Sequence, residues 1–165
     1  MTEITLKPIG RIHTLFNSQE EMPIQPCGGM EHLGEVIVDK VYMEGLKDLE
    51  GFSHIYLIYY FHKTQQEKLS VVPFNDKNHL PRGVFSTRTP VHPNRLGLSL
   101  VKLLEVKENR VIYQGVDILD GTPLIDIKPY IKNFDHVEGD VRSGWMQSTL
   151  CEVKAKRSDC RFVEC

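Results

Sequence analysis

The segment Lys77 to Leu104 carries Lys77, Arg82, Arg88, Arg95 and Lys102 together with His79 and His92, and contains no Asp or Glu. A stretch of that length at ordinary composition would hold about four acids. An Arg guanidinium offers a planar fork to carboxylates and phosphates, so this is either a loop facing such groups or a solvated basic face without a partner. A second constellation is Asp117-Ile118-Leu119-Asp120-Gly121-Thr122-Pro123 followed by Leu124-Ile125-Asp126-Ile127-Lys128-Pro129-Tyr130. Asp120-Gly121 signals a turn. Alternation after it puts Leu124, Asp126 and Lys128 on one face and Ile125 and Ile127 on the other. Three carboxylates near one turn suit hydroxyl or amine recognition, metal coordination, or simple capping of turn N–H groups, although an EF-hand spacing is absent. His54 and His62 share a strand face by parity but would stand about 26 Å apart, too far to hold one metal. His62, at the strand end beside Lys63, is the better placed of the two to line a loop site.

The elements that must position these groups are mostly strands. Leu33 to Met43, Ser53 to His62, Gly83 to Thr87, Leu98 to Val106 and Arg110 to Val116 are short and rich in β-branched or aromatic residues. Lys107, Glu108 and Asn109 join the last two as a hairpin, with Asn suited to the left-handed conformation of such a loop. Room for helices is confined to the neighbourhoods of Met43 to Leu49 and Leu96 to Leu104. The pattern predicts a mainly β single domain, a barrel or strongly curved sheet with short helices and long loops, and a polar extension over residues 136–165. Pro and Gly clusters at Pro26 to Gly29, Pro90 to Gly97 and Gly121 to Pro123 mark the long loops, where binding residues tend to sit.

The chain has 165 residues, 41% of them hydrophobic, and a formal net charge of −2. That length suits one domain with a full core and excludes collagen-like and disordered classes. The near-zero charge is a balance of unlike halves. Residues 1–80 carry 7 Lys/Arg against 11 Asp/Glu, and residues 81–165 carry 13 against 11. The N-terminus lacks a signal-peptide core, and the longest apolar run, Ile55 to Phe61, is far short of the roughly 20 residues that cross a bilayer. A cytoplasmic location is expected, with Cys27, Cys151, Cys160 and Cys165 as reduced thiols. The GxGxxG, GxxxxGK[ST], GxSxG and HExxH signatures are all missing, so a Rossmann dinucleotide site, a P-loop, a serine hydrolase elbow and a zincin site lack their usual equipment.

Taken together, several blocks resemble the TrmO family of tRNA methyltransferases, also called TsaA-like or VirR-like proteins. They are Ile9-Gly10-Arg11-Ile12, Gln25-Pro26, Leu49-Glu50-Gly51-Phe52-Ser53-His54-Ile55, Gly83-Val84-Phe85-Ser86-Thr87-Arg88, Pro93-Asn94 with Leu96-Gly97-Leu98-Ser99-Leu100-Val101, and Val116 to Pro123 with Asp126 to Tyr130. In the right order they span about residues 4–131. Members often read Arg-Pro-Asn-Pro-Ile-Gly where this chain has His92-Pro93-Asn94-Arg95-Leu96-Gly97, and Gln-Pro-Gly where it has Gln25-Pro26-Cys27-Gly28.

The resemblance implies a non-Rossmann, TsaA-like β-barrel over residues 1–135 that binds S-adenosylmethionine, usually as a homodimer with the cofactor near the subunit interface. It also implies N6-methylation of threonylcarbamoyladenosine at position 37, beside the anticodon of tRNA. Carried over block by block, the cofactor contacts fall on Gln25, Pro26, Cys27, His62, Lys63, Arg88, Leu98, Asp117, Ile118, Leu119 and Asp120. No residue is singled out as the catalytic base, and no metal is implied. Arg82, His92, Asn94 and Arg95 are the candidates for the anticodon-loop surface, with the Lys154, Lys156, Arg157, Arg161 tail as second choice. The alternatives are an S-adenosylmethionine-binding protein acting on a small molecule, or a cofactor sensor without an acceptor.

Overall fold

Strict alternation along His54–Tyr60 sends Ile55, Leu57 and Tyr59 into the core and leaves His54, Tyr56, Ile58 and Tyr60 facing outward. The same period runs along Leu96–Lys107, where Gly97, Ser99, Val101 and Leu103 point inward. A strand with one apolar face must bury it, and here the sheet does so by closing on itself, with one stretch of β6 left paired on a single side.

The computed structural model describes residues 3–162; Cys165 and the Cys160 side chain lie outside the described residues, and with them the expectation of thiols there. Its strands are β1 (Gly10–His13), β2 (Leu33–Val38), β3 (His54–Tyr60), β4 (Ser70–Val71), β5 (Arg82–Gly83), β6 (Leu96–Lys107), β7 (Arg110–Gln114) and β8 (Thr122–Pro129). Two short helices follow, α1 (Lys132–Asp135) and α2 (Leu150–Ala155). Six strands form a closed antiparallel barrel in the order β1-β2-β7-β6-β3-β8, and β4 and β5 make a separate small ladder. Ile12, Val36, Val38, Ile55, Leu57, Val101, Val111, Tyr113 and Leu124 fill the barrel. A satellite cluster of Val71, Val84, Val91 and Phe162 packs beside it with Phe74. The mainly β barrel expected from the pattern is the fold observed.

Several local expectations change. The strand expected over 33–43 stops at Val38, and Lys40–Leu46 is a 3-10 helix that buries Leu46. The strand expected over 83–87 is only Arg82–Gly83, and Val84–Ser86 is a 3-10 turn. Leu96 to Leu104 is all strand, so no helix forms there. β1 has no legible signal in sequence because four residues with one charged member give too little periodicity. In the β6–β7 hairpin Lys107 pairs with Arg110, and Glu108 rather than Asn109 takes the left-handed conformation, with φ 54°. Asn109 instead donates its side-chain amide to the Val38 carbonyl at 2.7 Å. On β8 the register shifts opposite Ile58/Tyr59, so Leu124 and Ile127 both pair with inward residues while Asp126 and Lys128 pair with outward ones. A bulge resets the two-residue period, which is why Leu124 and Asp126 do not share a face.

One irregularity positions the site. Along β6, β7 reaches only Lys102–Lys107, so the first half of β6, Leu96–Val101, is laddered on β3 alone. The segment after β7 takes the open side: Val116 donates its N–H to the Gly29 carbonyl at 3.1 Å, and a Cβ on Gly29 would collide with the Val116 carbonyl. The C-terminal segment folds back over the same region. Ser158 donates its N–H to the Met22 carbonyl at 2.7 Å, Lys77 and Glu152 pair at 2.9 Å, and the Ser148 hydroxyl donates to the Asn75 carbonyl at 3.0 Å.

Candidate functional site

Between the open side of β6, the 73–92 loop and the returning C-terminal segment lies a cleft of about 820 Å³. Gln25, Pro26 and Cys27 line it from a 3-10 turn that begins on Pro26, whose fixed φ and missing N–H suit a first turn. Cys27 is a free, half-buried thiol. Leu98 contributes an outward, half-exposed apolar side chain from β6. Arg88 enters from the loop after β5, is exposed, and has no ion pair among the described residues.

Asp117 is the acid of the cleft. The Ser99 hydroxyl donates to its two oxygens at 2.9 and 3.1 Å. With that hydrogen committed, the buried Tyr59 hydroxyl, 3.1 Å from Ser99 Oγ, is the donor in the next link. Burial pushes Asp117 up to about 7, opposed by the Ser99 hydrogen bond and the Arg88 charge. Burial also holds the Tyr59 proton on its oxygen far above the ordinary phenol range, with the Asp117 charge adding to it. Near neutral pH Asp117 is thus divided between a form that donates a proton and a form that accepts hydroxyl or amine hydrogens. A Cβ on Gly97 would fall inside the Tyr59 ring, so glycine at that inward position of β6 lets the ring reach Ser99.

The eleven residues expected to contact a cofactor separate into two groups. Gln25, Pro26, Cys27, Arg88, Leu98 and Asp117 meet in the cleft. His62, Lys63, Ile118, Leu119 and Asp120 lie outside it, with His62 and Leu119 at Thr122 and Ile118 and Asp120 at Thr14. His62 Nδ1 is 3.4 Å from the Thr122 hydroxyl, and burial, then the Lys63 and Arg11 charges, lower its pKa. Lys63 is exposed. Ile118 is a core side chain whose carbonyl accepts from the Thr14 hydroxyl at 2.8 Å, and the Leu119 carbonyl accepts from the Thr122 hydroxyl at 2.8 Å. Asp120 accepts from the Thr14 N–H at 3.1 Å and stands 3.2 Å from His13 Nδ1, a turn-tying arrangement.

The acceptor candidates also divide. His92 lines the cleft and donates Nε2–H to the Thr87 carbonyl at 3.1 Å. Arg82 is bound to Asp76 at 2.7 Å, an acid one residue before the acid-free stretch, and Lys77 is taken up by Glu152. Arg95 donates to the Gln65 carbonyl at 2.7 Å, while Asn94 is exposed. In the tail, Lys154 and Lys156 are exposed, Arg157 donates to the Lys154 carbonyl at 2.8 Å, and Arg161 pairs with Asp159 at 2.7 Å. Sequence reasoning missed Tyr59, Ser99, Phe85 and Trp145 as cleft or cleft-supporting residues. The lone tryptophan was the one available signal among them.

Residues 11–136 match the family model described as tRNA-methyltransferase O N-terminal domain. The chain belongs to the TrmO family. It is 45% identical over 160 residues to a Pyrococcus abyssi protein named "Probable S-adenosyl-L-methionine-binding protein", covering 96% of this chain and 85% of that one. It is 38% identical to the mouse tRNA (adenine(37)-N6)-methyltransferase, over 78% of this chain and 31% of that one. The crystal structure of TrmO from Pseudomonas aeruginosa superposes with a TM-score of 0.71 at 32% identity, over 87% of this chain. This chain spans 62% of that TrmO chain.

Proposed function

We propose that the protein is an S-adenosylmethionine-dependent methyltransferase that N6-methylates threonylcarbamoyladenosine at position 37 of tRNA. The observation that carries this reading is the meeting, in one cleft of a TrmO-family barrel, of Gln25, Pro26 and Cys27 with Arg88, Leu98 and Asp117. That donor set fits the cofactor. Arg88, with no ion pair among the described residues, suits its carboxylate; Asp117 suits ribose hydroxyls or an amine; and Leu98 supplies apolar surface. When bound, S-adenosylmethionine supplies a methyl group already activated on a sulfonium. The chain's task is then to hold donor and acceptor in line and keep water out, which can account for much of the acceleration.

A homodimer is part of the same proposal. Leu96, Leu98 and Leu100 are 39%, 50% and 39% exposed along the outer face of β6, where they form an apolar wall of the cleft, and Leu104, 45% exposed, follows beyond Lys102 on the same face. A second copy seated there would cover the mouth of the cleft and could bring its own His62, Lys63, Ile118, Leu119 and Asp120 to a shared cofactor site. Leu100→Glu is expected to give a monomer in light scattering and to weaken cofactor binding; an unchanged oligomer would refute this arrangement. With tRNA as acceptor, the reaction belongs in the cytoplasm.

The deciding assay offers labelled S-adenosylmethionine with tRNA carrying threonylcarbamoyladenosine and, separately, with unmodified tRNA. Label on the modified tRNA alone is the expected result. Cofactor binding without transfer to any RNA would replace this reading with a small-molecule methyltransferase or a sensor. Absence of cofactor binding would remove all three.

A further inference from the structure

Trp145, the only tryptophan of the chain, sits between α1 and α2 and borders the cleft. It is fixed from behind. Its indole N–H donates to the Ser86 carbonyl at 2.9 Å, and the Arg82 guanidinium lies 5.8 Å over the ring. Arg82 is in turn held by the buried Asp76 carboxylate, which also accepts from the Asn78 and Leu80 N–H groups at 3.0 and 3.2 Å. On the turn that carries Ser86, Phe85 also lines the cleft and is 78% exposed. Its ring meets His92 edge-on at 5.9 Å, and His92 is tied to the Thr87 carbonyl.

Two aromatic rings flanking one backbone position, one of them left almost uncovered, call for a flat apolar-faced ligand. The charge around them selects its class. Arg88 borders the same cleft, is exposed and lacks an ion pair among the described residues, and Asp117 is the only carboxylate among the described lining residues. A planar face next to negative charge describes a nucleotide.

We propose that Phe85 and Trp145 form a stacking platform for a nucleobase, with the Asp76–Arg82 pair as the buttress that holds the indole in place. This rests on the cleft reading above and deepens it. Two sources of the base share the chemistry: the adenine of the cofactor and an unstacked base of a single-stranded RNA acceptor.

Because Trp145 is unique, intrinsic fluorescence reports the platform directly. The full chain is titrated with S-adenosylhomocysteine, with a short single-stranded RNA of anticodon-loop sequence, and with inorganic polyphosphate as a charge control. Stacking predicts saturable quenching by one of the first two and none by polyphosphate. In Phe85→Ala, whose exposed side chain can be removed without opening the core, the dissociation constant of the quenching ligand should rise about tenfold, and Phe85→Tyr should restore it. A loss confined to RNA assigns the base to the acceptor, and a loss confined to S-adenosylhomocysteine assigns it to the cofactor. Quenching by neither, equal quenching by polyphosphate, or an unaltered Phe85→Ala overturns the platform. Methyl transfer by the wild-type chain is measured alongside. Transfer without stacking sinks the platform alone, and stacking without transfer sinks the enzymatic reading alone.

Discussion

Replacing Asp117 with asparagine should flatten a pH dependence of stability that the wild-type chain carries. Its carboxyl titrates near 3.8 when solvated and is pushed up to about 7 by burial beside Ser99 and Tyr59. Below about pH 4 both the folded and unfolded chains hold the proton, so the burial costs nothing. Between about pH 4 and 7 the unfolded chain releases the proton while the folded chain keeps it, so stability falls as pH rises and levels off above 7. A displacement of that size corresponds to ~4 kcal/mol, and because solvent reaches part of the residue a discounted ~2 kcal/mol is the working figure. The amide introduced by Asp117→Asn cannot ionise, and its oxygen can still accept from Ser99. Urea unfolding of both chains across this range should show the variant gaining on the wild type by that amount between acid and pH 8. Calorimetry with S-adenosylhomocysteine should show wild-type affinity rising through neutrality and a weaker, pH-flat variant. Parallel stability curves would refute the assignment of a buried, protonated Asp117.

Gly97→Ala puts a methyl group against the buried Tyr59 ring and should cost ~1–3 kcal/mol in urea unfolding, with cofactor affinity falling as the Tyr59–Ser99–Asp117 chain is displaced. Arg88→Lys keeps the charge but loses the planar fork, so the cofactor dissociation constant should rise about tenfold, ~1.4 kcal/mol, with melting temperature unchanged. RNA binding should lose affinity with salt more gently than a broad cationic face would dictate, because few cations at the cleft are free to release counterions; a steep slope measured by filter binding would contradict this.

The barrel was legible where alternation is long. β3 and most of β6 could be read from residue type because each buries one face against the core over seven or more residues. The β6–β7 hairpin was legible too, but β1, the β8 bulge and the choice of Glu108 over Asn109 for the left-handed position were not, since they are set by register and closure rather than by local pattern. The same limit applies to the site. Three carboxylates near Gly121 look alike in sequence, yet Asp117 faces the unladdered half of β6, Asp120 ties down Thr14, and Asp126 points outward. Ser99 looked like an ordinary strand residue, and its role follows only from the gap beside it.

The acid-free stretch shows how far composition can mislead. Asp76 lies one residue before its start and Glu152 comes from α2, yet these two acids neutralise Arg82 and Lys77, while the Gln65 carbonyl takes Arg95. Arg88 is left as the one cleft-lining member of the stretch's five Lys and Arg residues. One exposed cation contributes little to holding an RNA strand, because screened surface attraction is weak. The cations that were spent internally instead stiffen the cleft wall: Arg82 backs Trp145, and Lys77 ties α2 to the loop that precedes Phe85. Charge that looked like a binding surface thus acts as scaffolding, and under the proposed function recognition at this cleft would fall to the carboxyl of Asp117, the fork of Arg88 and the two aromatic faces, all of which line it.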